Sequence, residues 1–105
     1  MRGRVLIVDD EKLMRVSLES QLKKEGFLVK AMKTAGDALK YVRNEDYDIV
    51  VSDLRLPGLD GIEFLKEIKS ISQKTIVIIM TAYGTVESAV TAMRGGAFDY
   101  ICKPF

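Results

Sequence analysis

Histidine is missing from this chain, and cysteine occurs once, as Cys102. A single cysteine cannot form an internal disulfide, which is typical of proteins from a reducing compartment. With no histidine and no second cysteine, the chain lacks the ligands that zinc sites normally use. We therefore expect no zinc site, and we expect Cys102 to be a small buried residue without a redox role.

An excess of one charge and a long apolar run are also missing. Lys plus Arg number 16 against 15 Asp plus Glu, so no positive field is available to hold a nucleic-acid backbone. No apolar run approaches the ~20 residues of a membrane span. The start MRGRVLIV is too short, and too soon followed by acids, for a secretory signal. We expect a cytoplasmic domain that binds neither nucleic acid nor membrane directly.

What is present is the composition of a small globular domain. Apolar residues make up 48% of the chain and charged residues 30%, a balance typical of a sequence that folds. A chain of 105 residues is too short to divide into two workable cores. We therefore expect one domain over residues 1–105.

Short apolar segments alternate with amphipathic ones along the chain. β-branched and aromatic residues predict strands at 4–8, 27–31, 48–52, 75–79 and 97–101. Apolar residues at helical spacing predict helices at 11–25, 35–43, 60–70 and 85–94. Thr34 is a candidate N-cap for the second helix. This alternation favours an α/β fold with a parallel sheet, helices on both faces, and the more polar second strand at an edge.

Polar side chains follow four of the predicted strands at their carboxyl ends, where sheets of this kind bind ligands. They are Asp9, Asp10, Asp53, Thr81 and Lys103. Taken singly, each residue has an ordinary alternative. Asp9 and Asp10 could form a solvated turn or cap the next helix, and Asp53 could form a turn. Thr81 could hydrogen-bond to a backbone group at the strand end, and Lys103 could be a surface charge. Their shared position at strand ends favours a common site.

The chemistry that fits this set is phosphoryl transfer to a carboxylate. Asp53 can attack phosphorus to form an aspartyl phosphate, while Asp9 and Asp10 supply most of a Mg²⁺ site. Lys103 and Thr81 would contact phosphoryl oxygens. Phosphorylation takes the acceptor from one negative charge to about two, which can pull a loop inward and act as a switch.

Four motifs together resemble the receiver domains of bacterial two-component response regulators. They are VLIVDDE at 5–11, DIVVSDLRLPGLDGIEFLKEIK at 48–69, IVIIMTAYG at 76–84 and GAFDYICKPF at 96–105. The resemblance covers nearly the whole chain. It implies an α/β, flavodoxin-like (CheY-like) doubly wound sheet of five parallel strands in the order 2-1-3-4-5.

The resemblance also implies the metal site and the acceptor. Asp53 matches the phosphoacceptor, and Asp9 and Asp10 match the acidic pair that binds Mg²⁺, with Mn²⁺ as a substitute. The main-chain carbonyl of Arg55 matches the position that completes the coordination. The domain is then a regulatory one and not a conventional enzyme, since it catalyses only its own phosphotransfer and slow dephosphorylation.

Switch residues are implied in the same way. Thr81 matches the switch hydroxyl, Tyr100 the aromatic residue that rotates inward, and Lys103 the phosphate-binding lysine. Without the family match, simple packing on a terminal strand would be the preferred interpretation of Tyr100. The bond between Lys103 and Pro104 matches one that is characteristically cis in this family. Arg55 and Tyr83 flank the predicted site and could gate access of water.

Residues 80–105 are especially similar to receivers of nitrogen-regulatory-type transcription activators. Such activators carry an ATPase module and a helix-turn-helix DNA-binding domain downstream of the receiver. The implied partners are therefore a sensor histidine kinase and a downstream effector module that controls transcription. We expect residues 84–101, the fourth helix and fifth strand, to transmit the change.

The sequence departs from the family at its end. Receivers normally continue past the KPF motif into a fifth helix that covers one face of the sheet, whereas this chain stops at Phe105. We therefore expect four helices, a chain truncated at its C-terminus, and an apolar face that favours self-association.

Three other functions compete with this interpretation. Phosphatases of the haloacid dehalogenase type use a second Asp two residues after the nucleophile, where this chain has Arg55. Flavodoxin-like flavin binders present hydroxyls and amides to phosphate after the first strand, whereas this chain presents Asp9 and Asp10. A docking scaffold that is not phosphorylated would lack one member of the polar set, and all five are present.

Overall fold

A computed structural model describes residues 3–82 and 84–103 of the chain. Its strands are β1 (Arg4–Val8), β2 (Leu28–Met32), β3 (Ile49–Asp53), β4 (Arg55–Leu56), β5 (Leu59–Asp60), β6 (Ile76–Thr81) and β7 (Asp99–Cys102). Its helices are α1 (Lys12–Lys24), α2 (Ala35–Asn44), α3 (Gly61–Ile71) and α4 (Val86–Arg94). Every predicted strand and helix is present, with bounds within two residues of those predicted. The predictions for Tyr83 and for the Lys103–Pro104 bond lie outside the described residues.

Five strands form one parallel sheet in the order β2-β1-β3-β6-β7. Counted without the two-residue strands β4 and β5, this is the predicted order 2-1-3-4-5. The fold prediction is confirmed, and the polar second strand lies at an edge as expected. The two short strands were not predicted. They pair antiparallel across the turn at Pro57 and Gly58, whose φ of 79° is a conformation that favours glycine.

Side chains cap the first turns of α2, α3 and α4, whereas Glu11 before α1 makes no side-chain cap. Thr34 Oγ1 accepts the N–H of Asp37 at 3.2 Å, which confirms the predicted cap of α2. Asp60 accepts the N–H of Ile62 at 2.7 Å where α3 begins, and Thr85 starts α4 with a capping box. These oxygens satisfy N–H groups that have no partner inside the helix, so they fix where each helix begins.

One face of the sheet carries the main core. Strand side chains on this face pack against α2 and α3, and the resulting cluster is almost fully buried. Its fully buried members include Leu6, Val50, Phe64, Leu65, Ile68 and Ile79. β1 is buried along Val5 to Val8, on both faces, as its continuous apolar run predicts.

The opposite face is only partly covered, because the described residues contain four helices and no fifth. α1 has no buried residue, and Leu13 is 81% exposed. Ile76 on β6 and Ile101 on the edge strand β7 are each 37% exposed. The apolar runs of β3 and β6 predicted cover on both faces; every residue of β3 is at least half-buried, whereas Ile76 at the start of β6 is exposed. The predicted uncovered face is confirmed.

Cys102 is exposed, so the expectation that it is buried is wrong. It ends the edge strand β7, and its sulfur faces Gly84, where an added Cβ would lie 3.1 Å away. Within the described part of the chain, no helix is long and apolar enough to cross a membrane.

Candidate functional site

The predicted polar residues meet at the carboxyl edge of the sheet. The backbone N–H of Asp9 donates to Met32 O at 3.1 Å, which continues the ladder of β1 and β2 by one residue. The N–H of Lys103 donates to Thr81 O at 2.9 Å and continues the ladder of β6 and β7 in the same way. Asp53 is the last residue of β3. Sheet pairing therefore sets the relative positions of residues far apart in sequence.

Three carboxylates form a tight cluster at this edge. Asp9, Asp10 and Asp53 each offer one oxygen, and these three oxygens all lie within 4.8 Å of one another. Asp9 and Asp53 are buried, whereas Asp10 is exposed. Carboxylate oxygens are the ligands that Mg²⁺ prefers, so the donor set fits the predicted ion. The cluster can hold a hard divalent cation.

The ammonium of Lys103 lies between two of these acids. Its Nζ is 2.7 Å from Asp9 Oδ2 and 3.0 Å from Asp53 Oδ2, and its side chain is only 8% exposed. Burial by itself would lower the pKa of Lys103, but the hydrogen bonds and charges of the two acids outweigh it and leave that pKa raised. Lys103 therefore stays protonated at neutral pH. Three carboxylates face one buried ammonium, which leaves the cluster with an excess of negative charge.

The carboxylate of Asp53 is oriented by its own loop. The N–H of Arg55 donates to Asp53 Oδ1 at 3.2 Å, so the two oxygens of the acid have different partners. The side chain of Arg55 is exposed and lines an open pocket of about 440 Å³. Asp10, Glu11, Asp53, Ala82 and Lys103 line the rest of this pocket. A small phosphodonor can reach Asp53 through it.

Gly61 supports this loop from behind, and sequence reasoning did not identify it. Its N–H donates to Leu54 O at 2.8 Å. A Cβ built on Gly61 would lie 2.6 Å from both Asp53 O and Leu54 O, distances that real Cβ atoms do not show. Glycine is therefore required for α3 to start so close to the backbone of Asp53. The sequence signal that could have identified Gly61 is its place directly after Asp60, the residue that caps α3, within the segment LPGLDG.

The two predicted switch residues occupy different places. Thr81 is fully buried at the end of β6. Tyr100 is half-buried on β7, and its hydroxyl lies 2.6 Å from Ser88 Oγ in the first turn of α4. The structure thus brings the three acids and Lys103 together, and it places the tyrosine hydroxyl at the start of α4.

Comparison with known proteins agrees with this geometry. The family described as "Response regulator receiver domain" matches residues 5–105. The chain belongs to this family. The receiver domain is 43% identical over 104 residues to the DNA-binding transcriptional regulator NtrC of Proteus hauseri, covering 99% of this chain and 22% of that protein. It is 45% identical over 103 residues to the regulatory protein AtoC of Escherichia coli K12, covering 98% of this chain and 22% of that protein.

Solved structures give the same result. The beryllofluoride-activated receiver domain dimer of NtrC4 matches with a TM-score of 0.93 at 37% identity, over 97% of this chain and 84% of that one. This receiver domain spans about 22% of the length of the curated relatives it matches. Membership of the receiver family sets aside the phosphatase and flavin-binding alternatives.

Proposed function

We propose that this receiver domain accepts a phosphoryl group on Asp53 from a sensor histidine kinase, in a reaction that requires Mg²⁺ or Mn²⁺. The observation that carries the proposal is the position of Asp53. Among the three clustered acids, Asp53 both lines the open pocket and contacts Lys103, at 3.0 Å, and it lies within 4.8 Å of the other two carboxylates. A nucleophile for phosphoryl transfer needs access, a cation site and a charge partner, and all three meet here.

In the proposed reaction, a carboxylate oxygen of Asp53 attacks phosphorus. A new P–O bond forms while the bond from phosphorus to the kinase histidine breaks, and the imidazole nitrogen keeps the electron pair. Lys103 is protonated and buried, so its ammonium can pair with a phosphoryl oxygen. Thr81 donates its hydroxyl to another phosphoryl oxygen, since it ends the neighbouring strand of the sheet.

Asp9, Asp10, Asp53 and the main-chain carbonyl of Arg55 would hold the divalent ion. When bound, the ion neutralises charge that develops on the transferred group. The chain itself has no second acid two residues after the nucleophile, because Arg55 occupies that position. General acid and base catalysis of turnover is therefore missing, and the acyl phosphate serves regulation, with slow hydrolysis.

The phosphorylated domain then acts as a switch. Added charge on Asp53 draws Thr81 toward it, Tyr100 shifts, and residues 84–101 carry the change to an effector module. Similarity to NtrC, a DNA-binding transcriptional regulator, supports an output in transcription. We propose an ATPase module and a helix-turn-helix domain as that output. The sequence of the full-length gene tests it, and a gene without an ATPase segment after the receiver would contradict it.

Self-association is part of the proposal. NtrC4 forms a receiver dimer in its beryllofluoride-activated state, and this chain exposes apolar side chains on α1, α4 and the outer strands. Sedimentation at increasing protein concentration should show a rising mass. A constant monomer mass would contradict self-association and leave the acceptor role intact.

Binding of beryllofluoride, a mimic of the phosphoryl group, tests the acceptor role. Amide NMR spectra would be recorded with Mg²⁺ for the unchanged protein, for Asp53→Asn and for Asp46→Asn, a control that removes an exposed acid elsewhere. We expect shifts at Thr81 and Lys103 in the unchanged protein and the control, and none in Asp53→Asn. The same shifts in Asp53→Asn would reject Asp53 as the acceptor.

A further inference from the structure

We propose that Ser88 is a positioning residue for Tyr100, and that it couples the orientation of this tyrosine to the N-terminal cap of α4. The inference rests on the proposed switch role of Tyr100 and deepens it. It names the contact through which a movement of the ring would reach the helix. The two residues belong to different elements, β7 and α4, so the contact is tertiary.

The hydroxyl groups of the pair are in close contact. Tyr100 Oη lies 2.6 Å from Ser88 Oγ, a short distance for a hydrogen bond between two neutral hydroxyls. Tyr100 is half-buried and packs against the edge of the main core. The ring is therefore fixed along most of its length by packing, and its polar end is fixed by one side chain.

Gly84 makes this orientation of the ring available. A Cβ added to Gly84 would lie 2.8 Å from Tyr100 Oη and 3.1 Å from Tyr100 Cε1. The first of these contacts is shorter than real Cβ atoms show, so a residue larger than glycine would displace the hydroxyl end of the ring. The absence of a side chain at position 84 thus leaves the space through which the tyrosine reaches Ser88.

Ser88 is also half of the capping box of α4. Its Oγ accepts the N–H of Thr85 at 3.0 Å, and Thr85 Oγ1 accepts the N–H of Ser88 at 3.0 Å. Ser88 Oγ lies 3.0 Å from Thr85 O, to which it can donate its single proton. The second lone pair of Ser88 Oγ then accepts the hydroxyl of Tyr100. Thr85 O also accepts the N–H of Ala89 at 3.0 Å, and Thr85 Oγ1 lies 3.1 Å from Ser88 Oγ, so the tyrosine hydroxyl is part of the hydrogen-bond network of the cap.

The first turn of α4 depends on this cap because packing holds it weakly. Ala92 is the buried residue of α4, and Val86 in the first turn is 83% exposed. Loss of the tyrosine hydroxyl removes one partner from the cap, and opening of the cap removes the acceptor from the tyrosine. Movement of Tyr100 and loosening of the first turn of α4 are therefore coupled.

A double-mutant cycle in protein without phosphodonor tests the coupling. Amide hydrogen exchange at Ser88 and Ala89 would be measured in the unchanged protein, Tyr100→Phe, Ser88→Ala and the double variant. We expect Tyr100→Phe to speed exchange about fivefold, the value of one neutral hydrogen bond. In the Ser88→Ala background the same change should have almost no effect. Equal effects in both backgrounds, or no effect of Tyr100→Phe, would overturn the inference.

Two further variants complete the design. Ser88→Thr keeps a hydroxyl and should retain the effect of Tyr100→Phe. Thr91→Ala is the matched control, because Thr91 Oγ1 donates to Glu87 O on the same helix, and it should leave the effect unchanged. Beryllofluoride binding at Asp53 is scored separately on all variants. Loss of the coupling with binding retained refutes the role of Ser88 alone, whereas failure of binding in every protein refutes the acceptor role.

Discussion

Both ends of the parallel sheet carry a cluster of polar side chains, but the two clusters pair their charges differently. There, Arg4 Nη2 lies 3.2 Å from Glu45 Oε2, and the hydroxyl of Tyr47 donates to the same oxygen at 2.7 Å. The guanidinium of Arg4 also lies 5.3 Å from the centre of the Tyr47 ring. One cation, one anion and one hydroxyl thus satisfy one another.

Backbone groups at the amino end are satisfied as well. Thr75 Oγ1 donates to Tyr47 O at 2.9 Å, and Lys69 Nζ donates to Thr75 O at 2.6 Å. These bonds join the start of β6 to the loop before β3 and to the end of α3. The amino end therefore uses its polar residues to hold the fold together.

The carboxyl end is arranged differently. Three acids lie close together, two of them contact one buried ammonium, and the pocket beside them is open to solvent. Like charges held this close raise the free energy of the folded state unless a cation binds. The difference teaches that the amino end is built for stability, whereas the carboxyl end gives up stability for binding. Substitutions of the polar residues at the amino end should therefore lower stability alone, whereas substitutions of the acids at the carboxyl end should remove cation binding and phosphorylation.

The largest expected effect is at the carboxyl end, in the double variant Asp9→Asn and Asp10→Asn. It should abolish Mg²⁺ binding and reduce phosphorylation by a small phosphodonor to background, while the fold stays intact. Calorimetric titration with Mg²⁺ and circular dichroism would measure both. Phosphorylation at the unchanged level would mean that VDDE is a turn and not a metal site.

Gly61→Ala should affect both stability and function, because its position joins the site to α3. The clash with the backbone of Asp53 should cost about 3 kcal/mol and slow phosphorylation. Gly36→Ala is the matched control, since Gly36 also lies in the first turn of a helix and a Cβ there meets nothing within 4 Å. It should stabilise by up to about 1 kcal/mol and leave phosphorylation unchanged. Denaturant unfolding and a phosphorylation assay separate the two, and equal effects of both substitutions would contradict the account.

Thr75→Val at the amino end should affect stability alone. Thr75 is buried, and the change leaves Tyr47 O without its hydroxyl partner, so it should cost about 2 kcal/mol. The rate of phosphorylation of the folded protein should not change. A slower rate of phosphorylation, measured under conditions where all of the variant is folded, would show that the two ends are coupled.

Tyr47→Phe should have the smallest effect, a loss of about 1 kcal/mol in the free energy of unfolding at neutral pH. Burial and the hydrogen bond to Glu45 raise the pKa of Tyr47 above its ordinary value of 10.0. A raised pKa means that the folded state holds the proton more tightly, so this stabilisation is complete below pH 10 and is lost as pH rises further. Urea unfolding between about pH 8 and 11 should show a steeper loss in the unchanged protein than in Tyr47→Phe. Parallel curves would contradict this role of Tyr47.

Much of this arrangement could be predicted from the sequence, for physical reasons. Strands such as β1 are continuous apolar runs because both faces are buried, and the parallel order of the strands brings Asp9, Asp53 and Lys103 to one edge. The turn at Pro57 and Gly58 was predicted, but the pairing of β4 with β5 was not. β4 and β5 have only two residues each, which is too short for the alternation of apolar and polar residues that indicates a strand.

Contacts between elements were beyond the sequence. The bond between Ser88 and Tyr100 depends on how the ring packs over Gly84. Cys102 is exposed because it ends the edge strand β7. The cluster at the amino end joins Arg4 to Tyr47, which are more than forty residues apart in sequence. Charged residues near loops do not recur at helix or strand spacing, so no sequence pattern predicts this contact. These features follow from tertiary packing, which composition and spacing do not determine.

The central claim is that Asp53 carries the phosphoryl group and that the excess negative charge around it requires a cation. Incubation with acetyl phosphate, followed by borohydride reduction and peptide mass spectrometry, locates the acyl phosphate, because reduction converts a phosphorylated aspartate to homoserine. The account predicts modification at Asp53 with Mg²⁺ and none when EDTA removes the ion. Modification at a different acid, or equal modification of Asp53 in EDTA, would contradict it.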